Sequence, residues 1–164
     1  MRVVPRGIER LHEAADRINA HPLREGRPYL LSKMICVILD TNFLFLPFQF
    51  RIDIFEELGA LLGGYKPIVL STTLRELRIL SRSRSDKVRM QAASALEVAG
   101  RCEVVKVERF EGETFDDVVL RVAKKMGCAV ATNDREMRRR LRHEGIPVVY
   151  LRGRSRLEVD GYIP

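Results

Sequence analysis

The sequence predicts an α/β fold built on a mostly parallel sheet, and two observations predict it. Short apolar segments alternate with helical segments along the chain, which is the pattern of successive βα units. The 164 residues are 46% hydrophobic and 31% charged, a composition typical of one globular domain with a sizeable core. The longest apolar runs are about ten residues, against about 20 for a membrane-spanning helix, so we expect no transmembrane segment.

Five apolar runs are the predicted strands. They occupy residues 34–40, 67–71, 102–107, 128–132 and 148–151. The first run continues from Met34 to Leu39 and is followed directly by Asp40, a carboxylate whose burial costs free energy unless it is paired. A charged side chain at that position indicates a functional role for the end of the strand, in addition to packing in the core.

Helical patterns separate the strands, and glycines mark several of their ends. The predicted helices cover residues 51–62, 72 or 73 to 80, 87–99 with Asp86 as its N-cap, 116–126 and 135–143. Gly63, Gly100 and Gly127 follow three of them, as glycine commonly does at helix C-termini. The expected organisation has three parts, namely an N-terminal helical extension at residues 1–33, the α/β domain at 34–151 and a basic, irregular C-terminal tail at 152–164.

The charge of the chain favours a polyanionic partner. The formal net charge is +7 and the pI about 9.7, which suits nucleic acid first and an acidic membrane second. Arginine is dense near the C-terminus, where the candidates for RNA phosphate contacts are Arg135, Arg138, Arg139, Arg142, Arg152 and Arg154. Each of them taken singly could instead belong to a solvated face that binds nothing.

The three cysteines are not clustered. Cys36, Cys102 and Cys128 each lie in an apolar segment, which favours buried free thiols and a cytoplasmic location. Zinc ligation would require closely spaced pairs of ligands, and the sequence has none. The sequence also has neither a GxxxxGK[S/T] phosphate loop nor a GxGxxG motif, which disfavours the nucleotide-binding folds that depend on them.

Four acidic residues are placed where predicted strands end or helices begin. Asp40 and Asp134 follow the first and fourth strands. Glu76 lies in the first turns of the helix after the second strand, and Asp116 starts the helix that leads into the fourth. Because the carboxyl ends of parallel strands share one edge of a sheet, we expect these side chains to converge there. Carboxylates held together must share a proton or a cation, and Mg²⁺ or Mn²⁺ on such oxygen ligands can activate water for phosphodiester hydrolysis.

Each of these acids also has a purely local interpretation. Asp40 could merely cap the turn that follows it. Asp116 and Asp134 could each be the N-cap of a helix. Glu76 could complete a capping box that Thr73 opens, which requires no function at all. Convergence of all four on one sheet edge is what favours the functional interpretation over these local ones.

Asp116 and its neighbour Asp117 compete for one place in the cluster. On a helix, Asp116 shares a face with Val119 and Ala123, which should pack on the sheet. Asp117 instead aligns with Arg121, on a side that we expect to be solvated. We therefore favour Asp116, with Asp117 as the second choice.

Polar and aromatic residues flank the predicted cluster. Thr132 and Asn133 could hydrogen-bond a carboxylate or a metal-bound water, or serve only the turn in which they lie. Four phenylalanines follow the first strand and could stack on RNA bases, although core packing or a dimer interface is the alternative. They are Phe43, Phe45, Phe48 and Phe50.

The order and spacing of these motifs resemble the PIN-domain ribonucleases. The similarity lies in "VILDTNFLF", in Glu76 after a strand, in "DDVVLRVAKKMGCAVATND" and in the closing apolar strand, and it covers about residues 34–151. In that family an Asp ends the first strand in a D-T/S-N motif, a Glu follows on a later helix, and a D-x-x-I/V-x-x-x-A helix leads to a strand ending in T-x-D. The chain looks most like the rRNA-processing branch and its archaeal relatives, with VapC-like toxins more distant.

The resemblance implies a three-layer α/β/α sandwich and a Mg²⁺- or Mn²⁺-dependent endoribonuclease that cuts single-stranded RNA during rRNA or other RNA processing. It implies that the catalytic and metal-binding residues are Asp40, Glu76, Asp116 and Asp134, with Asn42 and Thr132 as supporting residues. To these we add Asn133 and Asp117 as supporting candidates from their positions in the sequence. RNA would be the partner, and a homodimer is compatible with the phenylalanine-rich segment. The alternatives are a PIN-like RNA-binding module without activity, a VapC-type toxin nuclease, and a phosphohydrolase acting on small phosphate esters.

Overall fold

Six strands form one central sheet in the part of the chain that the structure describes. A computed structural model describes residues 34–164, so the predicted N-terminal extension lies outside the described residues. The strands are β1 (Ile35–Leu39), β2 (Tyr65–Leu70), β3 (Glu103–Val105), β4 (Ala129–Ala131), β5 (Val148–Arg152) and β6 (Arg156–Asp160). Their order is β3-β2-β1-β4-β5-β6, with β1 to β5 parallel and β6 antiparallel to β5. The mostly parallel sheet is confirmed, but the expectation that the segment after Arg152 is irregular is wrong, since residues 156–160 pair with β5.

Seven helices alternate with these strands among residues 34–164, and helices flank the sheet as the predicted three-layer sandwich requires. They are α1 (Thr41–Leu44), α2 (Leu46–Phe50), α3 (Ile54–Leu62), α4 (Ser71–Leu80), α5 (Asp86–Ala99), α6 (Phe115–Met126) and α7 (Arg135–His143). The helix expected from residue 51 begins at Ile54, because the Asp53 side chain accepts hydrogen bonds from the N–H groups of Phe55 and Glu56. The short helices α1 and α2 are not predicted, because each is too short to show a helical period. The predicted N-cap of α5 is wrong, since Ser85 rather than Asp86 accepts the capping hydrogen bond, from the Val88 N–H.

The chain winds in two directions from the centre of the sheet. From β1 it passes to β2 and β3 on one side, and from β4 it passes to β5 on the other. The winding therefore reverses between the neighbouring strands β1 and β4. In open parallel sheets ligands bind at this reversal, beyond the carboxyl ends of the strands.

The strands on either side of the reversal are buried. Val37, Ile38 and Leu39 of β1 and all three residues of β4 lie in the core, as expected for parallel strands that are covered on both faces. Four residues of α6 are buried as well, which agrees with the apolar stripe that the sequence shows there. None of the helices within residues 34–164 is long and apolar enough to cross a membrane.

A disulfide joins the two central strands at the end opposite to their carboxyl termini. Cys36 and Cys128 are bonded, with their Cα atoms 4.9 Å apart, and the register that pairs Val37 with Ala129 places them side by side. The prediction that all three cysteines are free thiols is therefore wrong for these two. Cys102 is free and partly buried, and burial raises the pKa of its thiol to about 11. The pairing depends on the register of strands 92 residues apart, which spacing along the chain does not reveal.

Candidate functional site

The carboxyl ends of β1, β4 and β5 are held in register by main-chain hydrogen bonds. The Asp40 N–H donates to the Ala131 carbonyl at 3.0 Å, and the Thr132 N–H donates to the Val149 carbonyl at 2.9 Å. The hydrogen bonds between neighbouring strands therefore continue one residue beyond the ends of β1 and β4. It fixes Asp40 and Thr132 next to each other at the point where the winding of the sheet reverses.

Asp40 is a buried carboxylate with only 5% of its surface exposed. One of its oxygens accepts a hydrogen bond from the Thr41 N–H at 2.8 Å, and the other accepts from the Thr132 hydroxyl at 2.9 Å. Burial, together with the nearby charges of Asp116 and Glu76, raises the pKa of Asp40 to about 6 against these two donors. The capping interpretation is realised, since Asp40 is the N-cap of α1, but it does not account for the two other acids nearby.

Two amide side chains brace this edge. The Asn42 side-chain oxygen accepts from the Asn133 N–H at 2.9 Å and lies 3.2 Å from the Thr132 hydroxyl. The Asn133 side-chain oxygen accepts from the Leu151 N–H at 2.7 Å, which ties the segment after β4 to β5. Thr132 is fully buried. Asn42, Thr132 and Asn133 thus form a polar network that holds the segments after β1 and β4 against β5.

Glu76 points toward the same edge from α4. One of its oxygens accepts a hydrogen bond from the Thr41 hydroxyl at 2.6 Å, and its pKa is raised by burial and by the charge of Asp116. The capping-box interpretation of Glu76 is wrong, because α4 begins at Ser71 and has Leu70 at its N-cap, without a side-chain cap. Thr41 connects the two acids, since its N–H binds Asp40 while its hydroxyl binds Glu76. Sequence analysis missed Thr41, although it is the middle residue of the D-T-N motif.

Asp116 and Asp117 have opposite environments. Thr114 is the N-cap of α6 and forms a capping box with Asp117, which rules out Asp116 as the cap. Asp117 also accepts a hydrogen bond at 2.5 Å from Arg140, and these donors lower the pKa of Asp117 to about 2. Burial and the charge of Asp134 raise the pKa of Asp116, despite Arg140. Asp116 therefore belongs to the group of acids that raise one another's pKa, whereas the charge of Asp117 is neutralised by Arg140.

Asp134 combines a structural role with a position beside the other acids. One carboxylate oxygen accepts from the Met137 N–H at 2.8 Å, so that Asp134 is the N-cap of α7, as the local interpretation predicts. Its own N–H donates to the Thr132 hydroxyl at 3.2 Å. The side chain is exposed and its charge raises the pKa of Asp116. Capping engages one oxygen of Asp134 and leaves the other without a hydrogen bond from residues 34–164.

The four acids are electrostatically coupled but do not form a closed cage. Within residues 34–164 no three acidic, histidine or cysteine side chains are grouped closely enough to hold a metal by themselves. Mg²⁺ characteristically takes one or two carboxylates and completes its octahedral shell with waters and substrate phosphates. Carboxylates with raised pKa values at one sheet edge, all of them oxygen donors, fit that mode of binding. The buried Thr72 hydroxyl, one turn before Glu76 on α4, has no hydrogen-bond partner in the described part of the chain.

The C-terminal arginines are partly engaged within the chain. Arg138 and Arg142 both pair with Asp160 at 3.2 Å, and Arg152 pairs with Glu158 at 3.2 Å. For these three, an RNA phosphate would have to displace a carboxylate, and their contact with RNA stays a prediction. The exposed members without an ion pair to any acid of residues 34–164 are Arg135, Arg139 and Arg154.

The four phenylalanines after β1 divide between core and surface. Phe43 is fully buried and Phe45 packs partly buried against the same core. Phe48 and Phe50 on α2 are exposed. The core interpretation therefore holds for Phe43, and only the residues on α2 are accessible to a partner.

Comparison with known proteins gives relatives for most of the chain. A family model described as a PIN like domain matches residues 37–154. The chain is 33% identical over 129 residues to Ribonuclease VapC9 of Archaeoglobus fulgidus, covering 79% of this chain and 92% of that protein. It is 30% identical over 132 residues to Ribonuclease VapC4 of Methanocaldococcus jannaschii, covering 79% of this chain and 100% of that protein.

Solved structures agree with this family. The PIN domain endonuclease Utp24 superposes with a TM-score of 0.63 at 26% identity, covering 78% of this chain and 92% of that one. A domain of a functionally unknown protein from Methanocaldococcus jannaschii has a TM-score of 0.57 at 16% identity, over 79% of this chain and 99% of that one, and shares the fold. The matches thus include both VapC ribonucleases and Utp24, and they identify a family rather than one branch of it.

Proposed function

Because this chain belongs to the PIN-domain ribonuclease family, we propose that it is a Mg²⁺- or Mn²⁺-dependent endoribonuclease that hydrolyses phosphodiester bonds in single-stranded RNA. The observation that carries the proposal is the burial of Asp40 at the reversal of the sheet, where the charges of Glu76 and Asp116 oppose its ionisation. A protein gains nothing in stability from such an arrangement, and a cation would relieve it.

The side chains of the site have distinct proposed roles. Asp40, Glu76, Asp116 and Asp134 would hold the cation, which when bound supplies Lewis-acid stabilisation of phosphate charge and a water of lowered pKa. Thr41 and Thr132 orient the carboxylate of Asp40 through their hydrogen bonds. Asn42 and Asn133 keep the strand ends in place. Asp117, the second choice in the sequence, is not proposed as a ligand because Arg140 neutralises it.

The biological setting that we propose is the processing of rRNA or of other RNA in the cytoplasm, and cleavage assays on candidate RNAs identify which of them is the substrate. The exposed Phe48 and Phe50 on α2 favour the predicted homodimer. The disulfide restricts this setting to a cell whose cytoplasm tolerates disulfides, as in hyperthermophiles, whose intracellular proteins are often rich in them. A toxin nuclease is the second candidate, and it is favoured by the identity of 33% and 30% to two ribonucleases named VapC.

The test is cleavage of end-labelled single-stranded RNA by the full-length chain with Mg²⁺, with Mn²⁺ and with EDTA. We expect cleavage only with metal, and a loss of about 100-fold or more in Asp40→Asn, because a charge aimed at the reacting group is removed. Asp53→Asn is the matched control, since Asp53 caps α3 and asparagine caps helices equally well. Cleavage that persists in EDTA or in Asp40→Asn would contradict the proposal, and RNA binding without cleavage would favour a non-catalytic module.

A further inference from the structure

A second group of basic residues lies on α4, on the turn that joins it to α5 and on the first turn of α5. Residues 75–89 contain six basic and two acidic residues. Both acids are already engaged, since Glu76 accepts from Thr41 and Asp86 pairs with Arg89. The other five basic residues are exposed and form no ion pair with an acid of residues 34–164. We call them the basic stripe, which consists of Arg75, Arg78, Arg82, Arg84 and Lys87.

The helix aligns the first part of the stripe. Arg75, Arg78 and Arg82 follow one another at spacings of three and four residues, which places them on one side of α4. The helical course continues past the end of α4, because the Arg82 N–H donates to the Ile79 carbonyl at 3.1 Å. Leu77 is buried on the opposite side of the same helix. Arg75 is the residue before Glu76 and lies about 100° from it around the helix, so the stripe begins within one residue of an acid of the candidate site and continues toward the end of α4.

The turn that carries the rest of the stripe is held in place. Arg89 donates to the Ser83 carbonyl at 2.9 Å and to the Arg84 carbonyl at 3.3 Å, and it pairs with Asp86. The Ser85 side chain caps α5 by accepting from the Val88 N–H. A braced turn loses little conformational freedom when its side chains bind a ligand. Arg89 therefore organises the turn, while its neighbours stay available.

We propose that the basic stripe is the surface that binds the sugar-phosphate backbone of RNA and leads it to the acidic site. This inference rests on the proposed ribonuclease function, because it names the surface through which that site would take its substrate. Four of the five cations are arginines, whose planar guanidinium groups pair with phosphate through two hydrogen bonds. At the C-terminus, by contrast, three of the six candidate arginines are paired within the chain, namely Arg138, Arg142 and Arg152. An array of unpaired charges running from the site suits a chain of phosphates better than a single anion.

The experiment measures RNA affinity separately from cleavage. Fluorescence anisotropy with a labelled single-stranded RNA is read in EDTA at several salt concentrations, using the full-length chain. The stripe variant combines Arg78→Gln, Arg82→Gln and Arg84→Gln, because glutamine keeps length and helix propensity while it removes charge. The charge-matched control combines Arg51→Gln, Lys106→Gln and Lys125→Gln, three exposed cations without an ion pair to the described acids. Circular dichroism checks that both variants remain folded.

We expect the stripe variant to bind at least about tenfold more weakly than the control, and its slope of log affinity against log salt to fall by about two, at about 0.7 per lost phosphate contact. Equal affinity of the two variants would overturn the inference. So would a larger loss in a third variant that combines Arg135→Gln, Arg139→Gln and Arg154→Gln. Stripe-dependent binding to phosphatidylserine vesicles without RNA binding would assign the surface to a membrane instead.

The two proposals fail separately. Stripe-dependent RNA binding by a chain that cleaves no RNA would leave the inference standing and remove the nuclease function. Metal-dependent cleavage together with unchanged affinity of the stripe variant would keep the nuclease function and remove the inference.

Discussion

Two groups of acids lie close together in this molecule and have opposite environments. At the sheet edge, Asp40, Glu76 and Asp116 are buried or half-buried, and the pKa of each is raised by burial and by neighbouring acids. On the adjoining surfaces of α6 and α7, Asp117 and Glu144 pair with Arg140 and Lys124, and the pKa of each is lowered. The paired acids help to hold the fold together, whereas the unpaired ones oppose it. The difference indicates that the edge is kept for a ligand that is not part of the chain.

The largest expected effect separates the two neighbouring residues at the start of α6. Asp116→Asn should lower the rate of metal-dependent RNA cleavage by about 100-fold or more, as expected when a charge at the reacting centre is lost. Asp117→Asn should retain a rate within a few fold of the wild type, because its partners are Thr114 and Arg140. Both rates are measured on the same labelled RNA at saturating Mn²⁺. Equal losses of cleavage rate in the two variants would mean that the different environments of Asp116 and Asp117 do not determine which of them takes part in cleavage.

The next effect concerns the strand pair that carries the acidic edge. Cys36→Ser combined with Cys128→Ser should lower the free energy of unfolding by about 2–4 kcal/mol, because the disulfide closes a long loop with a sequence separation of 92. Urea unfolding followed by circular dichroism measures it, with Cys102→Ser as the control for a free cysteine. A wild-type chain whose unfolding is unchanged by dithiothreitol would contradict the prediction.

An effect of comparable size on the free energy of unfolding is expected from the buried carboxylate of Asp40. The pKa of Asp40 is raised in the folded chain from its ordinary 3.8 to about 6, so the metal-free fold binds this proton more tightly than the unfolded chain does. The stabilising contribution is therefore complete below pH 3.8 and is lost as the pH rises to about 6. The difference between the two pKa values corresponds to about 3 kcal/mol.

Asp40→Asn should accordingly raise the stability of the metal-free protein at pH 7 by up to about 3 kcal/mol, with a smaller gain near pH 4. Urea unfolding in EDTA at the two pH values measures this gain. Addition of Mn²⁺ should stabilise the wild type and leave the variant unchanged, since binding to the folded state alone raises stability. A variant that is less stable than the wild type at pH 7 would show that the charge of Asp40 is compensated within the chain.

The smallest effect is expected at the paired acids. Asp117 has its pKa lowered to about 2, so its contribution to stability is present above its ordinary 3.8 and is lost as the pH falls through about 2. Arg140→Gln should therefore lower Tm slightly at pH 7 and by less at pH 2. Differential scanning calorimetry at the two pH values measures the change, with Arg139→Gln as the exposed control on the same helix. A drop in Tm of equal size at both pH values would assign the effect to lost packing.

Much of this arrangement could be read from the sequence, because it depends on local patterns. The five predicted strands and the longer helices follow from apolar runs, helical periods and glycine stops. The placement of Asp40 and Asp134 after strands was enough to put both at one edge of a parallel sheet. The preference for Asp116 over Asp117 followed from the apolar face that Asp116 shares with Val119, which is buried.

The rest depends on partners that are distant in sequence. The bond between Cys36 and Cys128 requires the register of β1 against β4, and the pairing of Arg138 with Asp160 requires β6 to fold back along β5. The link from Thr41 to Glu76 spans a sequence separation of 35 and needs α4 to be in place. Charge density alone pointed to the C-terminal arginines and overlooked the basic stripe, because it does not show which cations find an acid within the chain.

The hydroxyl of Thr132 carries a single hydrogen and lies between two acceptors. It is 2.9 Å from an Asp40 oxygen and 3.2 Å from the Asn42 side-chain oxygen, so it can donate to only one of them at a time. Rotation about one C–O bond transfers the donation from the charged acceptor to the neutral one. When the charge on Asp40 changes, the buried network can thus be rewired by moving one hydrogen atom, while the backbone of the three strands stays where it is.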